Sequence, residues 1–206
     1  MNPGLSNSRS NHSPSHRISL VLTVIGDDRP GLVEQLATAI SEHRGNWLES
    51  SMSHLAGQFA GIVCVAIAGA DAEALTAALD KLHGLRVTCA SSAASASSQM
   101  NSPARESGGT HQLTASGNRR LKLALVGHDR IGIVREVAQI LAQHSINVEV
   151  LTTHTASAPM SAEILFYANA ELTASATLDA RALTSDLERL SNELMVDIAL
   201  DETIRS

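Results

Sequence analysis

Two short loops hold most of the residues in this chain that could grip a small charged molecule. The first is Gly26-Asp27-Asp28-Arg29-Pro30-Gly31, followed fifteen residues after Gly31 by Asn46. The second is Gly127-His128-Asp129-Arg130-Ile131-Gly132, followed at the same interval by Asn147. Carboxylates accept from cations, and an asparagine carries both donor and acceptor. A glycine lets a ligand approach the backbone closely. Where a helix opens after such a loop, its first N–H groups lack intrahelical partners and suit an anion. Those amides lie near Gly31 and Leu32, and near Gly132 and Ile133. The loop is therefore complementary to a carboxylate and an ammonium a few ångströms apart. The helix amides would take the acid, Asp27 or Asp28 the ammonium, and Asn46 either group. A structural alternative stands beside this one. Asp28 is also a good helix N-cap, contributing about 1 kcal/mol, with Pro30 in the first helical turn where its missing N–H costs nothing. Arg29 is then a surface charge and Asn46 the end of a loop. The second copy departs from the first, with His128 for Asp27 and Ile131 for Pro30.

Other chemistry finds little support. The nine histidines are scattered and none falls in an HExxH frame, so no metal site is expected. His43 and His144 fall late on the first helix of each copy, where helix carbonyls suit them. His54 and His154 fall on the strands after those helices, where packing or hydrogen bonding at a joint between copies is the reading. There is no Gly-x-Ser-x-Gly elbow, dinucleotide fingerprint or P-loop, and no catalytic residue is assigned. Cys64 and Cys89 lack CxxC spacing and read as free thiols.

The elements that must position the loops also repeat. Leu20 to Val33 recurs as Leu121 to Val134 at an offset of 101 residues, and the match runs without a gap to Asn46 and Asn147. Each copy opens with an alternating strand (Ile18, Leu20, Leu22, Val24). A helix follows with an apolar stripe, Leu32, Val33, Leu36, Ala37 and Ile40 in the first copy and Ile133, Val134, Val137, Ala138 and Leu141 in the second. A hairpin then turns at Ala56-Gly57-Gln58, between strands Trp47 to Leu55 and Phe59 to Ala68. A second helix spans Ala70 to His83, closed by Gly84, and a short strand covers Leu85 to Ala90. The second copy reads as strands from Asn147 to Thr155 and Ser161 to Ala170, a helix from about Leu178 to Asn192, and a strand from Leu194 to Leu200. This order, βαββαβ twice, predicts an α+β fold of two ferredoxin-like units, each a four-stranded antiparallel sheet with two helices on one face. In that arrangement the first strand separates those carrying Cys64 and Cys89, beyond disulfide reach.

Length and composition agree. A chain of 206 residues accommodates two small domains. The Ser- and Asn-rich residues 1–16 read as a disordered tail rather than a secretory signal, 17–91 as the first domain, 92–118 as a flexible linker and 119–206 as the second domain. A net charge of −6 with no basic stripe argues against a direct grip on nucleic acid. No apolar run approaches the ~20 residues of a membrane helix, and the chain reads as cytoplasmic.

The Asp-Arg-Pro-Gly turn, the helix after it and Asn46 at the start of the next strand resemble the ACT domain, a small-molecule-sensing module. Two such units without an enzyme attached resemble the glycine cleavage system transcriptional repressor family, as does the stretch Asn46 to Phe59. The resemblance covers roughly residues 17–91 and 119–201. It implies that the ligand lies where the loop of one domain meets the second strand of another. Asp27, Asp28, Arg29, Pro30, Gly31, Leu32 and Asn46, with Asp129, Arg130, Gly132, Ile133 and Asn147, are then the candidate binding residues. It further implies an amino-acid-responsive regulator whose effector is glycine or a similar small amino acid, with no other cofactor. Its partner would be a LysR-type transcription activator, and it would tend to form homo-oligomers. Two alternatives stay open, a ligand-free interaction module and a detached regulatory subunit of a metabolic enzyme.

Overall fold

The computed structural model describes residues 16–92, 119–158 and 163–203. Alternating apolar residues build β1 (Arg17–Asp27), followed by α1 (Leu32–Glu42), β2 (Asn46–Leu55) and β3 (Gln58–Ala68). After a 3₁₀ turn at Gly69–Asp71 come α2 (Ala72–Leu79) and β4 (Leu85–Ser92). The second half repeats the order with β5 (Arg119–His128), α3 (Ile133–Gln143), β6 (Asn147–Ser157), β7 (Ile164–Ala174), α4 (Ala180–Leu194) and β8 (Asp197–Thr203). The α+β fold expected from the repeat is present. The tail and linker readings fall, but for their last and first residues, on 1–15 and 93–118, outside the described residues.

All eight strands join one sheet in the order β4-β1-β3-β2-β6-β7-β5-β8, every pair antiparallel. The two halves meet at β2 and β6, where Ser50, Ser51, Met52 and Ser53 pair with Thr153, Thr152, Leu151 and Val150. Inward-facing Leu20, Leu22 and Val24 of β1 and Val63, Val65 and Ile67 of β3 are buried with the predicted stripe of α1. In the second half Ile133, Val137, Ala138 and Leu141 of α3 are buried and Val134 partly so. Each fully buried aliphatic side chain contributes about 1.5–3 kcal/mol. That is the force holding the helices on the sheet. Across the joint α1 packs on α3. A β-carbon built on Gly31, just before α1, would lie 3.9 Å from that of Ala142 near the end of α3.

Several boundaries differ from the sequence reading. Gly31 (φ +88°) is the N-cap of α1 and the helix opens at Leu32, so Pro30 precedes the helix instead of sitting in its first turn. Helix α2 stops at Leu79, and Gly84 (φ +78°) turns the chain into β4 rather than capping the helix. Helix α4 runs two residues later than predicted because Asp179 caps it, its side chain accepting from the amides of Arg181 and Ala182. Met195, with φ +52°, ends that helix and delays β8 to Asp197. Strand β7 extends to Ala174, and the expected start at Ser161 lies outside the described residues. β1 does separate the strands of the two cysteines, both free and half-buried.

Candidate functional site

Both loops end in a glycine that only a residue without a side chain fills comfortably. Gly31 and Gly132 stand at the N-caps of α1 and α3 with φ +88° and +91°, and neither helix has a side-chain cap. The first-turn amides of α1 are thus left open, as anion binding requires, whereas in α3 the Ile133 N–H donates to the Arg130 carbonyl at 3.5 Å. This overturns the capping alternative for Asp28. Asp28 lies three residues before the N-cap, too far back for its carboxylate to serve as one. Its backbone N–H donates to the Gly57 carbonyl at 3.0 Å, and that of Asp129 donates to the Ile164 carbonyl at the same distance, tying each loop to the neighbouring hairpin.

The loop carboxylates instead cross between the halves. Asn147 Nδ2 donates to Asp28 Oδ2 at 2.8 Å, and Asn46 Nδ2 donates to Asp129 Oδ2 at 2.7 Å. Each loop therefore meets the asparagine of the other copy, set there by the β2–β6 pairing. The crossing leaves polar atoms over. Asp28 Oδ1, Asp129 Oδ1, Asn46 Oδ1 and Arg130 Nε are buried without a hydrogen-bond partner. An orphaned buried group costs about 1–3 kcal/mol. Three acceptor oxygens in that state at one joint are what a ligand carrying N–H donors would satisfy.

The remaining candidates divide. Asp27 is exposed and accepts from Gln58 Nε2 at 2.7 Å, turned to its own hairpin. Arg29 donates to the His83 carbonyl at 2.8 Å, which holds its guanidinium over the turn before β4. Pro30 is exposed. Gly31 and Leu32 line an opening between the start of α1 and the end of α3, shared with Asp28, Ala142 and Asn147. Arg130 pairs with Glu136 beside Gly132, and Ile133 is buried in the second core.

Glu149, which the sequence reading did not assign, and His54, which it placed at the joint, break the symmetry. Glu149 sits at a bulge of β6, and Leu48 occupies the matching bulge of β2. His54 Nδ1 lies 3.1 Å from Glu149 Oε2, and its Nε2 lies 3.6 Å from Asp28 Oδ2. The Gly57 N–H donates to Nε2 at 3.2 Å, so the proton of the neutral ring belongs on Nδ1, toward Glu149. The first loop thus carries a His-and-carboxylate triad bridging both halves. Its ligand atoms lie within 4.8 Å of one another, close enough to hold a cation. The second loop has Leu48 and Thr155 at the corresponding positions and no such triad. A charge at a bulge aligned with an apolar residue was the available signal. At the joint's centre Trp47 Nε1 donates to Thr153 Oγ1 at 3.1 Å, and Ser50 Oγ lies 2.9 Å from the same atom. His154, read like His54 as a residue of the joint, instead stacks on Tyr167 at 4.8 Å, on the face of the sheet away from the helices.

The opening measures about 10 Å³. A second cavity of about 40 Å³ lies in the second core beneath α3, and its lining is apolar apart from Thr153.

An ACT domain family model matches residues 19–89. No curated protein matches the sequence. Among solved structures the chain is similar to an unknown protein from Galdieria sulphuraria, at 27% identity and TM-score 0.42, covering 92% of this chain and 100% of that one. It is also similar to a candidate glycine cleavage system transcriptional repressor, at 16% identity and TM-score 0.39, covering 93% and 100%. A third is the aspartate kinase of Synechocystis, at 16% identity and TM-score 0.47, covering 84% of this chain and 26% of the kinase. Over residues 19–89, about a third of the chain, the sequence is similar to the ACT domain.

Proposed function

We propose that this chain is an amino-acid-responsive regulatory protein that performs no catalysis itself. Its loops hold a small α-amino acid at the joint between the two halves. The observation that carries the reading is the reciprocal crossing. Each loop aspartate bonds the other half's asparagine and keeps a second, unpartnered buried oxygen, next to helix amides that no side chain caps. A ligand ammonium would satisfy that oxygen, and its carboxylate would face the amides. Because the aspartate that would hold the ammonium is itself bonded to the other half's asparagine, occupancy would favour one joint geometry over another, which is what a regulator needs.

The family resemblance extends the proposal to negative control of glycine cleavage genes through a LysR-type activator, glycine or a similar small amino acid being the effector. A net charge of −6 favours a protein partner over direct contact with DNA. The chain would act in the cytoplasm and self-associate. One observation favours a second reading, a ligand-free interaction module. The opening of about 10 Å³ admits one water-sized group, so an amino acid enters only if the loop draws back from α3. Thermal unfolding of the full chain across the standard amino acids separates the two. A ligand at 100 times its dissociation constant adds about 2.7 kcal/mol. A rise for a few amino acids, absent in Asp28→Asn, supports sensing, and a flat panel contradicts it.

A further inference from the structure

The two cavities share four lining residues, Val33 of α1, Ala138 and Leu141 of α3, and Val148 of β6. The polar opening at Asp28 and Asn147 therefore abuts the apolar space of the second core across a partition no thicker than those residues. We propose that this opening selects an α-amino acid with a branched aliphatic side chain of three or four carbons, held by its head group at the loop and by its side chain in the second core. The inference rests on the reading of the opening as an amino-acid site and deepens it, naming for that site a larger effector than glycine.

Size and lining set the class. A cavity of about 40 Å³ has room for about three water-sized groups at roughly 10–15 Å³ each. That suits an isopropyl or isobutyl group. With almost no polar partners on its walls the space stays dry, so an apolar group enters without displacing bound water. With the acid group on the α1 amides and the ammonium on Asp28 Oδ1, the side chain is left facing the shared partition. Glycine would leave the cavity empty.

The cavity lies beneath α3, and Val33 of α1 is its one lining residue from the first half. Val148 of β6 stands where β2 has Trp47, which is 4% exposed. Leu141, Val33 and Val148 are specificity-determining positions for the first site.

Calorimetric titration of the full chain with glycine, alanine, valine, leucine, isoleucine and phenylalanine tests this. Each buried methylene strengthens binding about fourfold, so relative to glycine valine should bind tens of times and leucine some hundreds of times more tightly. Val148→Trp, which copies Trp47, should bring the ratio of valine to glycine affinity close to one. If circular dichroism shows that this variant does not fold, Val148→Met fills the same space more gently and should weaken valine binding by the same logic. Equal affinity for glycine and valine in the unaltered chain would overturn the inference and leave the amino-acid site standing. So would a Val148 variant that weakens both ligands alike. No binding of any of the six would overturn both.

Discussion

Gly31 and Gly132 set the chemistry of the two loops more than the charged residues around them do. With φ near +90° at both N-caps, the chain enters each helix without a side chain over its first amides. An L-residue in that conformation costs about 1–2 kcal/mol. Space is not limiting at Gly31, since the nearest atom to an added β-carbon is 3.9 Å away. Gly31→Ala should therefore lower stability by about that amount in urea unfolding, through backbone strain alone. A neutral result would mean that the loop adopts another conformation. At the surface, the Arg119 guanidinium holds the Glu202 carboxyl below its ordinary value, chiefly by a hydrogen bond at 2.7 Å. A group whose pKa is depressed on folding contributes stability above its unfolded value, about 4.3 for Glu, and loses it as pH falls through the folded value. The gap in unfolding midpoint between the unaltered chain and Glu202→Gln should be small at neutral pH, because the pair is exposed. It should close on acidification, and a gap that widened would have the wrong sign.

Pairing of β2 with β6 places every bridging contact, so a lesion there should outweigh one at either loop. Thr153 is 1% exposed and bonds both Trp47 and Ser50 of the other half. Thr153→Val leaves those two polar groups buried without a partner. The expected loss is about 1–3 kcal/mol, with Thr153→Ser nearly neutral. Calorimetric melting of the two variants checks this, and equal melting temperatures would contradict it. At this scale the sequence was most and least informative. The alternating β1 and the stripes of α1 and α3 were legible because burial follows local period. The early end of α2 was not, because its apolar pattern continues to Leu82 while the helical hydrogen bonds do not. Glu149, and its meeting with His54, was also invisible. Their meeting depends on which strand of one half pairs with which of the other, and no local pattern encodes that.

One eight-stranded sheet makes the chain an internal pseudo-dimer in which each half completes the other's loop. The duplication, legible from the Gly-x-Asp-Arg-x-Gly turn and the later asparagine, pointed to that exchange through the family resemblance, and the crossed Asn–Asp bonds have the expected form. Divergence is as informative as the repeat. Val148 against Trp47 stands beside a cavity in the second half, and Glu149 against Leu48 completes a charged triad with Asp28 and His54 at the first loop. Two loops of one ancestry thus present different surroundings to a ligand.

The central claim is that the start of α1, opposite Asn147, receives a small amino acid. Amide-resolved nuclear magnetic resonance of the full chain, titrated with the amino acid that stabilises it most, tests it directly. The account predicts saturable shifts concentrated at the backbone amides of Gly31 to Glu34 and at the Asn147 side-chain amide, lost in Asp28→Asn. Saturable shifts confined to the helix-free face of the sheet, with those signals unmoved, would contradict it.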